Sequence, residues 1–412
     1  MAEDDDQSAR PPTSRGGGRR RFLRIAVCAL ALVLVAGGAL AWYGYHRLDG
    51  NIRTDTATGA LLKQAESERP SRSPAAGNAE NILLIGSDDR SGPNAAYGNS
   101  GGEPTNARSD TAILLHLAAD RRHATAVSIP RDAMVNVPGC VLPDGTRSQA
   151  GLMQFNWAFE LGGAACSIRT LEQLSGIRVD HHLILDFTGF KKMVDAVGGV
   201  QVCVPQPIHD RDAQLDLPAG RQTLNGEQAL GYVRVRESLG DGSDTQRMGR
   251  QQQFLAALMR KVQSDGVLLN PVRLWPLLNA ATSAITADQG LSSLGALYDL
   301  AQELRSMPTG NLALLTAPRR PYPADPNRDQ LVQPQTDRLF AALRADQVVA
   351  VAPTVPPVPA SPTPATSAGS TGSAAAAGAS ASASDSPNPA ANPAVGPTFE
   401  GRTATQDACP AG

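Results

Sequence analysis

Apolar positions fall along this chain in one long run and many short ones. The long run, 25–45, carries no charged residue and is long enough as a helix to cross a hydrocarbon layer of about 30 Å. Arg19, Arg20, Arg21 and Arg24 precede it, and Trp42, Tyr43 and Tyr45 close it. A basic flank and interfacial aromatics suit a membrane anchor. Its far end lacks a small-x-small cleavage site, so the pattern predicts a retained transmembrane helix over 25–45. The arginines place 1–24 in the cytoplasm and everything beyond the span outside. The stretch 46–80 is polar and turn-forming from Pro70 to Asn78, and reads as a linker.

The short runs begin at 81–86, continue at 111–117 and 124–129, and are bounded by turn residues. Runs of that length read as core strands. Further strands are expected at 181–187, 200–204 and 311–316. Helices are expected at 155–161, 167–174, 188–197, 225–232, 245–264, 271–281 and 291–304. Ser167 is a candidate N-cap, and Gly198 with Gly199 closes the helix before it. Strands interleaved with helices predict an α/β domain layered on a central sheet over 81–345. The pattern leaves open whether that sheet is parallel or mixed. From Ala350 onward Ala, Ser, Pro, Thr and Gly dominate, so 346–412 is expected to be a disordered tail.

Composition changes this picture in three places. The net charge of −2 gives no basic field for nucleic acid. Lys63, Lys191, Lys192 and Lys261 are the only lysines, so arginine as a residue type says little and its position must carry the argument. Cys140 and Cys166 sit in loop-like contexts and, in an extracytoplasmic domain, are expected to pair as a disulfide. Cys203 lies in a strand pattern and reads as a small buried hydrophobe. Neither the cysteines nor the histidines show metal spacing, and no phosphate loop, Gly-x-Ser-x-Gly elbow or His-Glu-x-x-His occurs.

The candidate chemistry lies where charges punctuate the runs. Asp88 and Arg90 follow the first strand, Arg108 and Asp110 open the second, and Arg131 and Asp132 end the third. Such residues are commonly solvated pairs, but here the pairing recurs at three strand ends. Paired carboxylates suit Mg²⁺ completed by phosphate ligands, and arginine forks suit phosphate oxygens. In a second cluster, Arg234 and Arg236 would share a face if extended. Arg247 and Gln251 would share one on a helix whose N-terminus, capped by Asp244 or Thr245, favours an anion. Together they describe a diphosphate site.

These residues carry a resemblance. Leu84-Ile85-Gly86-Ser87-Asp88-x-Arg90, Arg108-Ser109-Asp110, Ser128-Ile129-Pro130-Arg131-Asp132, and Tyr232-x-Arg234-x-Arg236 with Arg247-x-x-Arg250-Gln251 resemble the LytR-CpsA-Psr family, and 153–174 its actinobacterial branch. The resemblance implies a mixed β-sheet flanked by helices on both faces, with an apolar groove for lipid. It implies a phosphotransferase that moves a glycopolymer from a polyprenyl-pyrophosphate carrier onto peptidoglycan. Asp88 and Asp110 would hold Mg²⁺, and Arg108, Arg131, Arg234, Arg236, Arg247 and Gln251 would grip the pyrophosphate. Asp88, Asp110 and Arg131 would form the catalytic group, with Arg90 and Asp132 in support. A pyrophosphatase acting on the carrier and an anchored, non-catalytic lipid-binding regulator are the competing readings.

Overall fold

A computed structural model of the chain describes residues 17–88, 108–235, 244–264, 271–352 and 396–406. The chain divides after Asn51 into two units. Among the described residues the first contains one helix, α1 (Gly17–Asp49). Its stretch Phe22–Asp49 is long and apolar enough to cross a membrane, and it extends the expected span at both ends. Leu34, Val35 and Leu40 lie exposed along it.

The second unit is built on a nine-stranded sheet. In chain order the strands are β1 (Arg53–Thr54), β2 (Glu80–Ser87), β3 (Ser109–Leu117), β4 (Ala124–Ile129), β5 (His181–Leu185), β6 (Ile285–Ala287), β7 (Leu312–Thr316), β8 (Ala350–Ala352) and β9 (Thr398–Thr403). They lie side by side as β1-β6-β5-β2-β3-β4-β7-β9-β8. The sheet is mixed: β2–β3 and β3–β4 are antiparallel, while β2–β5 and β4–β7 are parallel.

The helices are α2 (Thr56–Gln64), α3 (Trp157–Ser175), α4 (Phe187–Ala196), α5 (Gly226–Arg234), α6 (Asp244–Ser264), α7 (Pro271–Ala284), α8 (Leu294–Ser306) and α9 (Gln335–Arg344). Alternate residues of each central strand serve opposite faces. Leu83, Ile85, Leu114 and Val127 pack with Leu62 of α2, Ile168 and Leu171 of α3 and Phe340 of α9. Ile82, Leu115, Ala126 and Leu314 pack with Ala256 of α6 and Leu297 of α8. Both faces are covered, which is why these strands read as continuous apolar runs rather than as alternation. A smaller core joins α4, α5 and α6 to the strand pair Val200–Val204 and Gly220–Leu224 and to the hairpin of Ile208–Asp210 and Leu215–Leu217.

Several expectations give way. The 46–80 linker is largely part of the domain: β1 pairs with β6, and α2 lays Leu62 into the core. Asp55 caps α2 through the Thr58 N–H (3.0 Å) and meets His182 Nε2 of β5 at 3.1 Å. Burial alone would raise the Asp55 carboxyl, but hydrogen bonds from His182 and Thr58 outweigh it and hold the pKa at about 2.

The disordered reading of 346–412 fails at 350–352 and 398–403, which supply β8 and β9. The two helices expected at 155–161 and 167–174 are present as the two halves of α3, which breaks at Gly162 and Gly163; Gly163, at φ +61°, makes the break. Ser167 lies inside α3 instead of capping it, and its hydroxyl donates to the Gly163 carbonyl at 3.3 Å. Cys166 is therefore helical rather than in a loop, and it is bonded to Cys140, 26 positions away, as expected. Cys203 is not a plain hydrophobe: it is disulfide-bonded.

Candidate active site

The antiparallel pairing of β2 and β3 brings distant residues to one end of the sheet. A register shift after Gly86 sets Ser87 against Ser109, so Asp88 meets Arg108. The Asp88 N–H donates to the Arg108 carbonyl at 3.0 Å, and the Arg108 N–H donates to Asp88 Oδ1 at 2.5 Å. The antiparallel β3–β4 pairing puts the start of β3 beside the end of β4, with Ala112 opposite Ile129. Arg131 then reaches back across it. Its Nη1 donates to Asp110 Oδ1 at 2.6 Å and its Nε to Asp132 Oδ2 at 3.2 Å. Gln154 Nε2 donates to Asp132 Oδ1 at 2.5 Å, and Arg328 lies 3.9 Å from the same oxygen. Asp132 thus ties Arg131, Gln154 and Arg328 together. Arg90 lies outside the described residues.

The second cluster is built differently from the expectation. Asn225 starts α5 with a full capping box through Gln228, and the helix continues to Arg234. Arg234 therefore sits on a helix's last turn, not on an extended segment shared with Arg236. Arg236 itself is outside the described residues. The Arg234 guanidinium lies 4.8 Å from the Phe187 ring centroid, within cation–π range.

The last carbonyls of α5 have no partner within the helix, and α6 supplies donors for two of them. Gln251 Nε2 donates to the Val233 carbonyl at 3.3 Å, and Arg250 Nη2 donates to that of Val235. Arg250 is buried. That burial lowers its guanidinium pKa, with Tyr232 and Asp210 opposing the shift.

One cavity of about 870 Å³ unites both clusters. Its polar part holds Asp88, Arg108, Asp110, Arg131, Arg234 and Arg247. Its apolar part is walled by Leu183 and Leu185 of β5, Phe190 and Met193 of α4, and Phe254 and Leu258 of α6. Arg247, Gln251, Phe254 and Leu258 form one stripe of α6, at helical spacing. At 1.5 Å per residue the stripe runs roughly 16 Å from charge to hydrocarbon. The cavity thus has one arginine-rich end and one apolar end.

Sequence reasoning missed several residues that line it: Gln154, Asn156, Trp157, Asp210 and Arg328. Arg328 gave no local signal, because its hairpin (Arg319–Tyr322 with Asp325–Leu331) lies far along the chain from Asp132.

A profile of the LytR_cpsA_psr family matches residues 45–344. The chain is 39% identical over 214 residues to a Corynebacterium glutamicum protein named "Probable cell wall biosynthesis protein LcpB", which covers 51% of this chain and 48% of that one. It is 28% identical over 251 residues to Bacillus subtilis "Polyisoprenyl-teichoic acid–peptidoglycan teichoic acid transferase TagT", covering 60% and 71%. Among solved structures, the "LytR-Csp2A-Psr enzyme from Actinomyces oris" superposes with a TM-score of 0.51 at 26% identity, over 67% of this chain and 93% of that one. The chain spans about half the length of the corynebacterial relatives it matches.

Proposed function

Because the chain belongs to the LytR-CpsA-Psr family, we propose that it is an anchored phosphotransferase that moves a glycopolymer from a polyprenyl-pyrophosphate carrier onto peptidoglycan. The domain after α1 would stand outside the membrane, as the basic flank of the span argues. The observation that carries the reading is the single cavity whose arginine-rich end passes into an apolar channel. A diphosphate joined to an isoprenoid chain has the same two-part chemistry. The B. subtilis relative's name describes transfer of a polyisoprenyl-linked polymer, and that chemistry is extended to this chain as part of the proposal.

In the reaction, a wall sugar hydroxyl attacks the phosphorus that bears the glycan. The bond from that phosphorus to the bridging oxygen breaks, and polyprenyl phosphate leaves with that oxygen. The glycan stays on the attacked phosphorus, now joined to the wall by a phosphodiester. Asp88 takes the hydroxyl proton. Arg108, Arg131, Arg234, Arg236 and Arg247 neutralise phosphoryl charge, Gln251 adds an amide contact, and Asp110 orients Arg131.

A Mg²⁺ ion fits the donor set. Asp88 and Asp110 are hard oxygen donors at adjoining strand ends, both lining the cavity. Two carboxylates are what an ion that draws its remaining ligands from phosphates requires. When bound, Mg²⁺ would supply further charge neutralisation at the phosphoryl oxygens.

The test is full-length protein in detergent with a labelled polyprenyl-pyrophosphoryl glycan, with and without peptidoglycan. Label appearing on the wall polymer supports transfer. Release to water at one rate regardless of acceptor makes the protein a hydrolase, and binding without turnover makes it a lipid-binding module.

A further inference from the structure

Five arginines of the described residues line the cavity: Arg108, Arg131, Arg234, Arg247 and Arg328. The diphosphate set takes in the first four and leaves out Arg328, which comes from the hairpin after β7. Its backbone is firmly held. The next residue, Asp329, is buried, pairs with Arg319 and bridges to Ala133. The Asp329 N–H also donates to the Asp132 carbonyl at 3.0 Å.

The side chain of Arg328 is held far less. Its Nε lies 3.3 Å from Oδ2 of Asp325, an exposed carboxylate. Its Nη1 lies 3.9 Å from Asp132 Oδ1, beyond hydrogen-bond reach. Asp132 has its acceptors filled without it, Oδ1 by Gln154 at 2.5 Å and Oδ2 by Arg131 at 3.2 Å. Among the described residues neither terminal nitrogen of Arg328 makes a hydrogen bond. A guanidinium fork left open on a cavity wall matches two oxygens of one phosphate.

Strand order sets which phosphate it meets. β5, β2, β3 and β4 are successive neighbours in the sheet. β5 supplies the apolar wall through Leu183 and Leu185, whereas Asp132 follows β4. Three strand spacings, roughly 14 Å, separate them. A lipid diphosphate whose chain lies on that wall has its outer phosphate toward β4, where Arg131 and Arg328 flank Asp132.

We propose that Arg328 is a further catalytic residue whose fork binds the outer phosphate, the one that bears the glycan and is transferred, and neutralises charge there. The assignment rests on the diphosphate reading of the cavity.

Full-length wild type, Arg328→Gln and Arg328→Lys in detergent would be titrated, with Mg²⁺ present, with geranylgeranyl pyrophosphate and geranylgeranyl monophosphate. The monophosphate keeps the lipid and the inner phosphate and lacks the outer one. Arg328→Gln should bind the pyrophosphate about five- to twentyfold more weakly, the scale of one charge-assisted contact at a partly exposed site. It should bind the monophosphate as wild type does, which also shows that the variant is folded. Arg328→Lys should recover part of the loss. The loss should persist in an Asp132→Asn background; its disappearance there makes Arg328 a positioning residue for Asp132 and overturns the proposal. Wild-type affinity of Arg328→Gln for the pyrophosphate overturns it too, as does an equal loss for both lipids. If the wild type binds the pyrophosphate no better than the monophosphate, the diphosphate reading itself fails, and the assignment falls with it.

Discussion

Replacing Arg131 with lysine separates what the structure says of this residue from what its place in the chain suggests. At a strand end it reads as an exposed group, of use to a ligand and of little consequence for folding. In the structure its side chain is 14% exposed and bonded to both Asp110 and Asp132. Lysine keeps the charge but has one ammonium where the fork reaches two carboxylates. One charge-assisted hydrogen bond is lost, worth roughly 1.5–3 kcal/mol when its partners stay desolvated. Asp110 is 29% exposed, and that access to water reduces the loss to about 1–2 kcal/mol. For a domain of this size the melting temperature should fall by about 2–8 °C. The same loss of bidentate geometry should lower kcat/KM about ten- to a hundredfold. Calorimetry and turnover would be measured on one preparation. In a double-mutant cycle, Arg131→Lys with Asp110→Asn should show a coupling near 1 kcal/mol. An Arg131→Lys protein with wild-type melting and wild-type turnover refutes the reasoning at both ends.

Removing the Cys140–Cys166 bond with serines should cost about 3 kcal/mol for the loop it closes, measured by denaturant unfolding. Thiol labelling of the unreduced chain should modify Cys28 and spare Cys140, Cys166 and Cys203. The Asp55 carboxyl, held at about 2 against an ordinary 3.8, contributes stability that is present above about pH 4 and lost as the pH falls through about 2. Discounted for its partial exposure, that is about 1–2 kcal/mol, and acid unfolding of Asp55→Asn should lack it. Leu258→Trp, at the apolar end of the cavity, should slow turnover of long-chain carriers more than short ones; equal slowing of both would place the lipid elsewhere. In β9, a Cβ at Gly401 would fall 2.6 Å from the Leu314 carbonyl oxygen. Gly401→Ala should therefore destabilise the domain by about 1–3 kcal/mol in chemical unfolding.

The parts of the fold that were legible are those where local pattern and burial agree. β2, β3 and β4 are apolar on both faces, and their ends carry the charged residues that meet in the cavity. α6 was legible because its spacing is purely helical. Arg234 was misread because two arginines at a spacing of two resemble a strand. The capping box at Asn225 and the buried Ala229, Leu230 and Tyr232 decide for helix. β1 is two residues long and β9 follows a low-complexity stretch, so neither rises above its surroundings until its partner strand is known. Arg328, Gln154 and Asn156 reach the site through tertiary packing, which spacing along the chain cannot register.

The placement of β9 beside β7 also has a consequence for where this chain can be cut. Composition alone sets the domain border at 345, ahead of β8 and β9. A chain ended there would strip both strands and leave β7, Leu-Ala-Leu-Leu-Thr, with one side of its backbone unpaired. A strand that apolar, with a row of open N–H and C=O groups, is a template for pairing with another copy. β9 closes that template with Glu400 and Arg402 in its sequence, and three-residue β8 is what remains at the border. The C-terminal segment thus guards the sheet against edge-to-edge aggregation, and solubility rather than catalysis is the first property that its removal should damage.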